Sequence, residues 1–217
     1  MQNITEAYWQ LRINRVKQAL ELNNFEVFTA NEVNQLKDLL QNKIIPSINA
    51  KSVGWGGSLT LSSMGLIEYL KDKKDIECFD PFEKGLSSDE SLEVRKQCLT
   101  ADLFMSGTNA VTESGKLVNL DMTGNRVSGI CFGPKNVLIV LGRNKIVKNI
   151  DDAITRIKSY AAPTNAMRLN KNTPCVKTGT CEDCHKIDRI CNIWSIVEKA
   201  YPKGRIKIVL INKELGL

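Results

Sequence analysis

Four of the chain's cysteines lie within 17 residues, and thiolates this close together can bind a metal. Only the central C-x2-C is a common chelating pair, in which two thiolates face one ion across a short turn. The spacing C-x5-C-x2-C-x6-C matches neither the ferredoxin run nor a zinc ribbon. We therefore predict a metal site here, and the residues alone leave open an iron–sulfur cluster, zinc, or metal-free thiols. The four are Cys175, Cys181, Cys184 and Cys191.

A glycine-rich turn at 54–58 is the first of three candidate ligand-binding segments. Gly56 and Gly57 let a ligand approach the backbone, and Ser58 caps the helix predicted to follow. A tight turn without a ligand explains the same residues. The segment is neither a P-loop nor a G-x-G-x-x-G fingerprint, so we expect no NAD.

The second segment, 106–115, contains many small polar residues between two predicted strands. Thr108 and Asn109 are candidate ligand-binding residues. Glu113 is the acid of this segment and the candidate catalytic residue, because desolvation can tune a carboxylate to act as nucleophile or general base. A solvated glutamate in a turn is the alternative.

The third segment runs from Asp121 to Arg126, where a predicted strand meets a helix. Arg126 has the fork that binds a carboxylate or phosphate in bidentate fashion, and Asp121 can orient it. A surface ion pair with a helix cap is the alternative. Gly124 and Asn125 lie between these two residues. The turn Gly142-Arg143-Asn144-Lys145 after another strand adds a further wall, with Arg143 as its candidate ligand-binding residue.

These segments must be positioned by alternating strands and helices, a pattern that predicts a three-layer, Rossmann-like α/β fold with a mostly parallel sheet. Residues 135–142 form the most apolar predicted strand and should lie at the sheet centre. A helix over 151–161 is predicted to end at Pro163. Because ligands bind at the carboxyl ends of parallel strands, the three segments should form one cleft, with Glu113 within reach of Arg126.

Composition indicates one folded domain of 217 residues, 42% apolar and 25% charged. We place the α/β domain at 1–165 and a small cysteine-bearing appendage with a final strand at 166–217, packed on the same domain. No apolar run approaches about 18 residues, and the start lacks a signal-peptide pattern. We therefore expect a cytoplasmic protein without a membrane span.

The basic residues are concentrated in the last third of the chain. Residues 142–217 carry 15 basic and 7 acidic side chains, whereas residues 1–141 carry 15 and 17. Such an excess suits a small anion, an acidic protein or nucleic acid. Without interleaved aromatic residues or a recognisable motif, we expect no nucleic acid.

Taken together, SGTNAVTESGKLVNLDMTGNR, the GWGGS turn and KNVLIVLGRNKIV resemble the LUD-domain family, which is associated with lactate utilisation. The chain is most similar to short members that end in a cysteine-rich segment such as TPCVKTGTCEDCHKIDRICN. The resemblance implies the fold of CoA transferases and ribose-phosphate isomerases. It also implies that Glu113 is similar to the glutamate of class I CoA transferases that forms an acyl-CoA thioester, although Ser114 replaces their asparagine.

Two classes of function follow from the resemblance. The first is a subunit or accessory of an iron–sulfur, NAD-independent lactate oxidation system. It would bind a small carboxylate or phosphate, carry a [4Fe–4S] cluster rather than zinc, and contact other lactate-utilisation subunits. The second is an enzyme of acyl-CoA-transfer or sugar-phosphate type that uses Glu113. A homo-oligomer is compatible with either class.

Overall fold

The computed structural model describes residues 4–217 and contains two β-sheets. The larger has six strands in the order β1-β10-β7-β4-β2-β3, and every neighbouring pair is parallel. The smaller has the order β8-β5-β6-β9 and is mixed. The strands are β1 (Glu26–Ala30), β2 (Ser52–Trp55), β3 (Glu77–Phe79), β4 (Leu103–Ser106), β5 (Ala110–Thr112), β6 (Leu117–Asp121), β7 (Asn136–Gly142), β8 (Ile146–Val147), β9 (Ile193–Val197) and β10 (Ile206–Ile211).

Helices cover the sheets and connect most of the parallel strands. Within residues 4–217, no helix has both the length and the apolar character needed to cross a membrane. The helices are α1 (Ile4–Leu22), α2 (Val33–Leu39), α3 (Ile45–Ile48), α4 (Leu59–Ser63), α5 (Leu66–Lys71), α6 (Ser88–Cys98), α7 (Asn125–Cys131), α8 (Ile150–Arg156), α9 (Ala162–Arg168) and α10 (Pro174–Thr178), with π-helical turns at Leu40–Ile44 and Ile157–Ala161 and a 3-10 turn at Arg143–Lys145.

The parallel α/β fold is confirmed, with β7 at the centre of the larger sheet. Nearly every residue of β7 is buried, as expected for a strand covered on both faces. The final strand, β10, lies between β1 and β7, and β9 pairs with β6. Residues 166–217 therefore contribute a strand to each sheet and are integral to the architecture.

Two apolar cores, one on each face of the larger sheet, explain the three layers. On one face, Ile13, Val16 and Leu20 of α1 pack against β7 and β10. On the other, Leu36 and Leu61 belong to the core beneath α2 and α4. Burial of each such side chain contributes about 1.5–3 kcal/mol, so these two cores hold the strand ends in place.

Two local predictions are wrong. The segment 106–115 does not simply connect the two predicted strands that flank it, because β5 forms within it and pairs with β6 in an antiparallel hairpin. The helix predicted to end at Pro163 continues to Arg168. A π-helical turn at Ile157–Ala161 precedes Pro163, which lies in the first turn of α9, where its missing N–H costs least.

Candidate functional site

The three predicted loops line one cleft of about 240 Å³ beside the carboxyl ends of β2, β4 and β6. Gly57 and Ser58 come from the first loop, Thr108 and Asn109 from the second, and Asp121, Asn125 and Arg126 from the third. β2 and β4 are parallel neighbours in the larger sheet, which brings their loops to one edge. β6 belongs to the smaller mixed sheet and brings the third loop to the same cleft. The prediction that the loops meet is confirmed, and whether they bind a ligand stays a prediction.

The guanidinium group of Arg126 forms hydrogen bonds with residues that line the cleft and is not free to bind a ligand. Its side chain is buried, and Nη1 donates to Asn119 Oδ1 at 2.8 Å. Nη2 donates to Asn109 Oδ1 at 2.8 Å and to the Leu120 carbonyl at 2.7 Å. Both terminal nitrogens are therefore engaged, which corrects the expectation that Arg126 binds a ligand in bidentate fashion.

Asp121 positions Arg126, as predicted. Asp121 Oδ1 lies 3.6 Å from Arg126 Nε, and Oδ2 accepts from the Arg126 backbone N–H at 3.1 Å. Gly124 precedes α7 with φ of 96°, a conformation that favours glycine, but does not line the cleft. Thr108 is buried and donates to Asn119 Oδ1 at 3.0 Å, so it belongs to the same network.

The glycine turn performs the local roles expected of it. Ser58 Oγ accepts from the Leu61 N–H at 3.3 Å and so caps α4. Gly56 does not line the cleft and packs beneath it, because a Cβ there would lie 3.1 Å from Arg126 Cγ. The absence of a side chain at Gly56 thus lets the Arg126 side chain pack directly against the backbone of the turn.

Lys145 lines the cleft and comes from the turn predicted as a further wall, although Arg143 was the binding residue expected there. Its side chain is 4% exposed, and Nζ donates to Thr60 Oγ1 at 3.0 Å. Among the described residues, no carboxylate lies within ion-pair distance of it. Burial, reinforced by the nearby charges of Arg156 and Arg126, lowers the pKa of Lys145 to about 7. The only sequence signal was a lysine in the turn after the most apolar strand.

Two more arginines line the cleft and were also not predicted. Arg95, on α6, lies with its Cζ 5.8 Å from the Phe82 ring centroid, and the described residues offer its buried Nε no hydrogen-bond partner. Arg168, at the end of α9, donates from Nε to Asn165 Oδ1 at 2.9 Å. The cleft therefore presents cations from three separate elements.

Glu113 does not line the cleft, and its predicted closeness to Arg126 is wrong. The carboxylate accepts from Arg12 Nη2 of α1 at 2.9 Å. The physical reason is β5, which separates Glu113 from Asn109: at roughly 3.3 Å per residue, four residues span about 13 Å. The candidate catalytic carboxylate thus lies beyond the far end of a strand.

Arg143 also points away from the cleft, so the predicted wall is formed by Lys145 of the same turn and not by Arg143. Nη1 donates to Glu6 Oε1 of α1 at 2.9 Å, and Cζ lies 5.4 Å from the Trp9 ring centroid. Arg143 and Lys145 lie at opposite ends of one 3-10 turn and face different sides of it. Lys145 therefore enters the cleft where Arg143 was expected.

The four clustered cysteines line one small, mostly apolar cavity of about 20 Å³. All are free thiols. Cys175 lies on α10, whereas the other three lie in a segment without helix or strand. Burial raises the pKa of Cys191, so its thiol is protonated at neutral pH. The four members are Cys175, Cys181, Cys184 and Cys191.

Four thiols are suitable ligands for a thiophilic metal or cluster, but their positions in the structure are too far apart to hold one. Lys158 and Arg189 both donate to Asp183 Oδ1 beside the cavity, at 2.7 and 2.9 Å, and supply positive charge near the thiols. Within residues 4–217, no three metal-binding side chains converge closely enough to hold an ion. Metal binding would require this irregular segment to contract.

The cleft and the cysteine cavity have one lining residue in common. Ile190, which is 7% exposed, lines both. α9 also contributes to each, with Asn165 facing the cleft and Ala166 the cysteine cavity. The two cavities are therefore neighbours across a shared wall.

A family model matches the chain, and one solved structure shares its fold. A sequence model of the LUD domain matches residues 13–211. The crystal structure of a DUF162 family protein from Deinococcus radiodurans superposes with a TM-score of 0.53 and 11% identity, covering 94% of this chain and 98% of that one. Ribose 5-phosphate isomerase from Plasmodium falciparum gives a TM-score of 0.31 and 18% identity over 54% of each chain. No curated protein matches the chain.

Proposed function

The chain belongs to the LUD-domain family, and on that premise we propose that it binds a small anionic metabolite in the cleft as part of a lactate-utilisation system. In this proposal the ligand is a small carboxylate or phosphate ester. The cysteine cavity next to it carries a metal centre, and other lactate-utilisation subunits are its partners.

The charge of the cleft is the observation that carries the proposal. Its described charged residues are four cations and one acid, and the acid is already paired with one of the cations. A partly desolvated cleft with excess positive charge favours an anion. The five residues are Arg95, Arg126, Lys145, Arg168 and Asp121.

The size of the cleft supports a small ligand. At about 240 Å³ it falls below the roughly 300–1,000 Å³ of pockets that enclose drug-sized molecules. A dinucleotide is larger than such a drug-sized ligand, so NAD is not the ligand that we propose.

A redox role is supported by the position of the cysteine cavity behind Ile190. A [4Fe–4S] cluster held by Cys175, Cys181, Cys184 and Cys191 would accept and donate single electrons next to the bound metabolite. Zinc at the same thiolates would serve a structural role instead. The LUD resemblance favours the cluster.

The alternative, acyl transfer or sugar-phosphate chemistry through Glu113, gains no support from the structure. Glu113 is paired with Arg12 outside the cleft. A ligand bound next to Lys145 would therefore not reach this carboxylate.

Calorimetric titration tests the metabolite-binding proposal. We expect lactate, pyruvate or a small sugar phosphate to bind more tightly than NAD. Arg168→Met should weaken that binding, because it removes a cation from the cleft, whereas Lys135→Met, at an exposed lysine outside the cleft, should not. Tight NAD binding with no response to the small anions would overturn the proposal.

The metal centre needs a separate measurement. Protein purified anaerobically should contain iron and sulfide, and Cys184→Ser should lose both while Cys131→Ser, at an exposed cysteine outside the cavity, keeps them. Zinc without sulfide would favour the structural alternative. A metal-free protein with four titratable thiols and unchanged stability in chelator would contradict both.

A further inference from the structure

Among residues 4–217, Lys145 Nζ donates a hydrogen bond only to Thr60 Oγ1, although a buried amine is costly to place. Its ammonium form faces two arginines, and within the same residues no carboxylate lies within ion-pair distance of it. Such surroundings favour the neutral amine, which is the nucleophilic form. An amine that served only to balance charge would be expected beside an acid.

Two glycines let the backbone pass close to the amine. A Cβ at Gly107 would lie 3.7 Å from Lys145 Nζ but 2.8 Å from Ser58 Oγ. A Cβ at Gly216 would lie 3.4 Å from Nζ but 2.6 Å from Thr60 Oγ1, so neither position has room for a ligand atom. An electrophilic carbon, which must come within roughly 3–3.5 Å of the amine to react, therefore reaches it from the space of the cleft that Lys145 lines.

Hydroxyl groups and cations surround this space. Thr60 Oγ1 contacts the amine directly, and Ser58 Oγ would lie 2.8 Å from a Cβ at Gly107. Arg168 and Arg95 line the same cleft and can hold an anionic group of a ligand. The cleft thus combines a nucleophile, hydroxyl hydrogen-bonding groups and anion-binding side chains.

We propose that Lys145 forms an imine with the carbonyl group of a small anionic carbonyl compound, such as a 2-oxo acid or an open-chain sugar phosphate. The proposal rests on the anion-binding function above and assigns the reacting residue within it. The imine would draw electrons from the adjacent carbon atoms of the ligand.

The reaction balances without a further reactant. The neutral Nζ attacks the carbonyl carbon, a C–N bond forms, and the carbonyl oxygen takes a proton from the nitrogen to give a carbinolamine. Its hydroxyl group then leaves as water with the second nitrogen proton, and the C=N bond forms. No oxidation or reduction occurs in either step.

Reductive trapping tests the proposal. The full-length protein is incubated with pyruvate or with ribose 5-phosphate, treated with borohydride, and analysed by intact mass and peptide mapping. Borohydride delivers hydride to the imine carbon, so we expect one reduced ligand per chain, attached at Lys145. The more efficiently trapped compound distinguishes the two sources of the carbonyl.

Three variants control this experiment. Lys145→Met and Lys145→Arg should both lose the adduct, and the arginine variant keeps the positive charge. Lys135→Met changes an exposed lysine and should leave the adduct intact. Adducts spread equally over surface lysines, or unchanged in Lys145→Arg, would overturn the proposal.

Lactate separates this proposal from the one on which it rests, because lactate has the carboxylate but no carbonyl group. If pyruvate and lactate bind in calorimetry but pyruvate is never trapped, imine formation is wrong and anion binding stands. If neither binds and nothing is trapped, the anion-binding function itself fails, and the imine proposal with it.

Discussion

The cleft and the cysteine cavity share Ile190 as a wall but are built in opposite ways. In the cleft, strand ends and Arg126 position the polar groups through hydrogen bonds that need no ligand. In the cysteine cavity, three of the four thiols lie in a segment without regular structure and do not converge. A preorganised site can select its ligand, whereas a site of the second kind gains its order from the ligand it binds.

The largest expected effect on stability comes from a substitution in the preorganised cleft. Arg126→Met removes one donor from each of three acceptors, at Asn109, Asn119 and Leu120, and leaves Asp121 without its cation. We expect a loss of about 3–5 kcal/mol in the free energy of unfolding, measured by urea denaturation. Arg168→Met, at a more exposed cleft arginine, should change it by only about 0.5 kcal/mol. Equal losses in the two variants would contradict the role given to Arg126.

Lys145→Met should act in the opposite direction and depend on pH. The unfolded chain keeps this proton up to its usual pKa of 10.5, whereas the folded chain releases it at about 7. Wild-type stability therefore rises between these values, and the penalty is complete below pH 7. The pKa difference of about 3.5 units corresponds to about 5 kcal/mol, so the variant should be more stable by up to that amount at pH 6, with the difference shrinking toward pH 10. A difference that does not vary with pH would show that the folded amine is not perturbed.

Metal loading should stabilise the protein through the cysteine cavity, without a contribution from the cleft. A metal or cluster present at 100 times its dissociation constant would raise the free energy of unfolding by about 2.7 kcal/mol, because it binds only the folded arrangement. Thermal unfolding with and without chelator measures this gain. Cys184→Ser should abolish it and Cys131→Ser should retain it.

Glu113→Gln should have the smallest effect. The carboxylate is part of a partly exposed ion pair with Arg12, so stability should fall by less than about 1 kcal/mol. Ligand affinity in calorimetry should be unchanged, since Glu113 lies outside the cleft. A marked loss of affinity would restore the catalytic role predicted from the sequence.

The sequence predicted the fold well because alternation of apolar strands and helices is a regular signal. It also predicted that three loops meet, although the shared direction of parallel strands explains only the loops after β2 and β4, and the loop after β6 comes from the smaller sheet. It failed for Glu113 because β5 is only three residues long and lacks a recognisable strand pattern. It failed for Arg126 and Lys145 because whether a cation is engaged or unpaired depends on contacts between distant residues.

The central claim, that Lys145 helps to bind a small anion in the cleft, is tested most directly by titrating lactate across pH. Lactate stays ionised from pH 6 to 9, whereas Lys145 loses its proton near pH 7. The account predicts that lactate affinity in calorimetry decreases as pH rises through about 7 and that Lys145→Met removes this dependence. Lactate affinity that is independent of pH in the wild type, or equally dependent in both proteins, would contradict it.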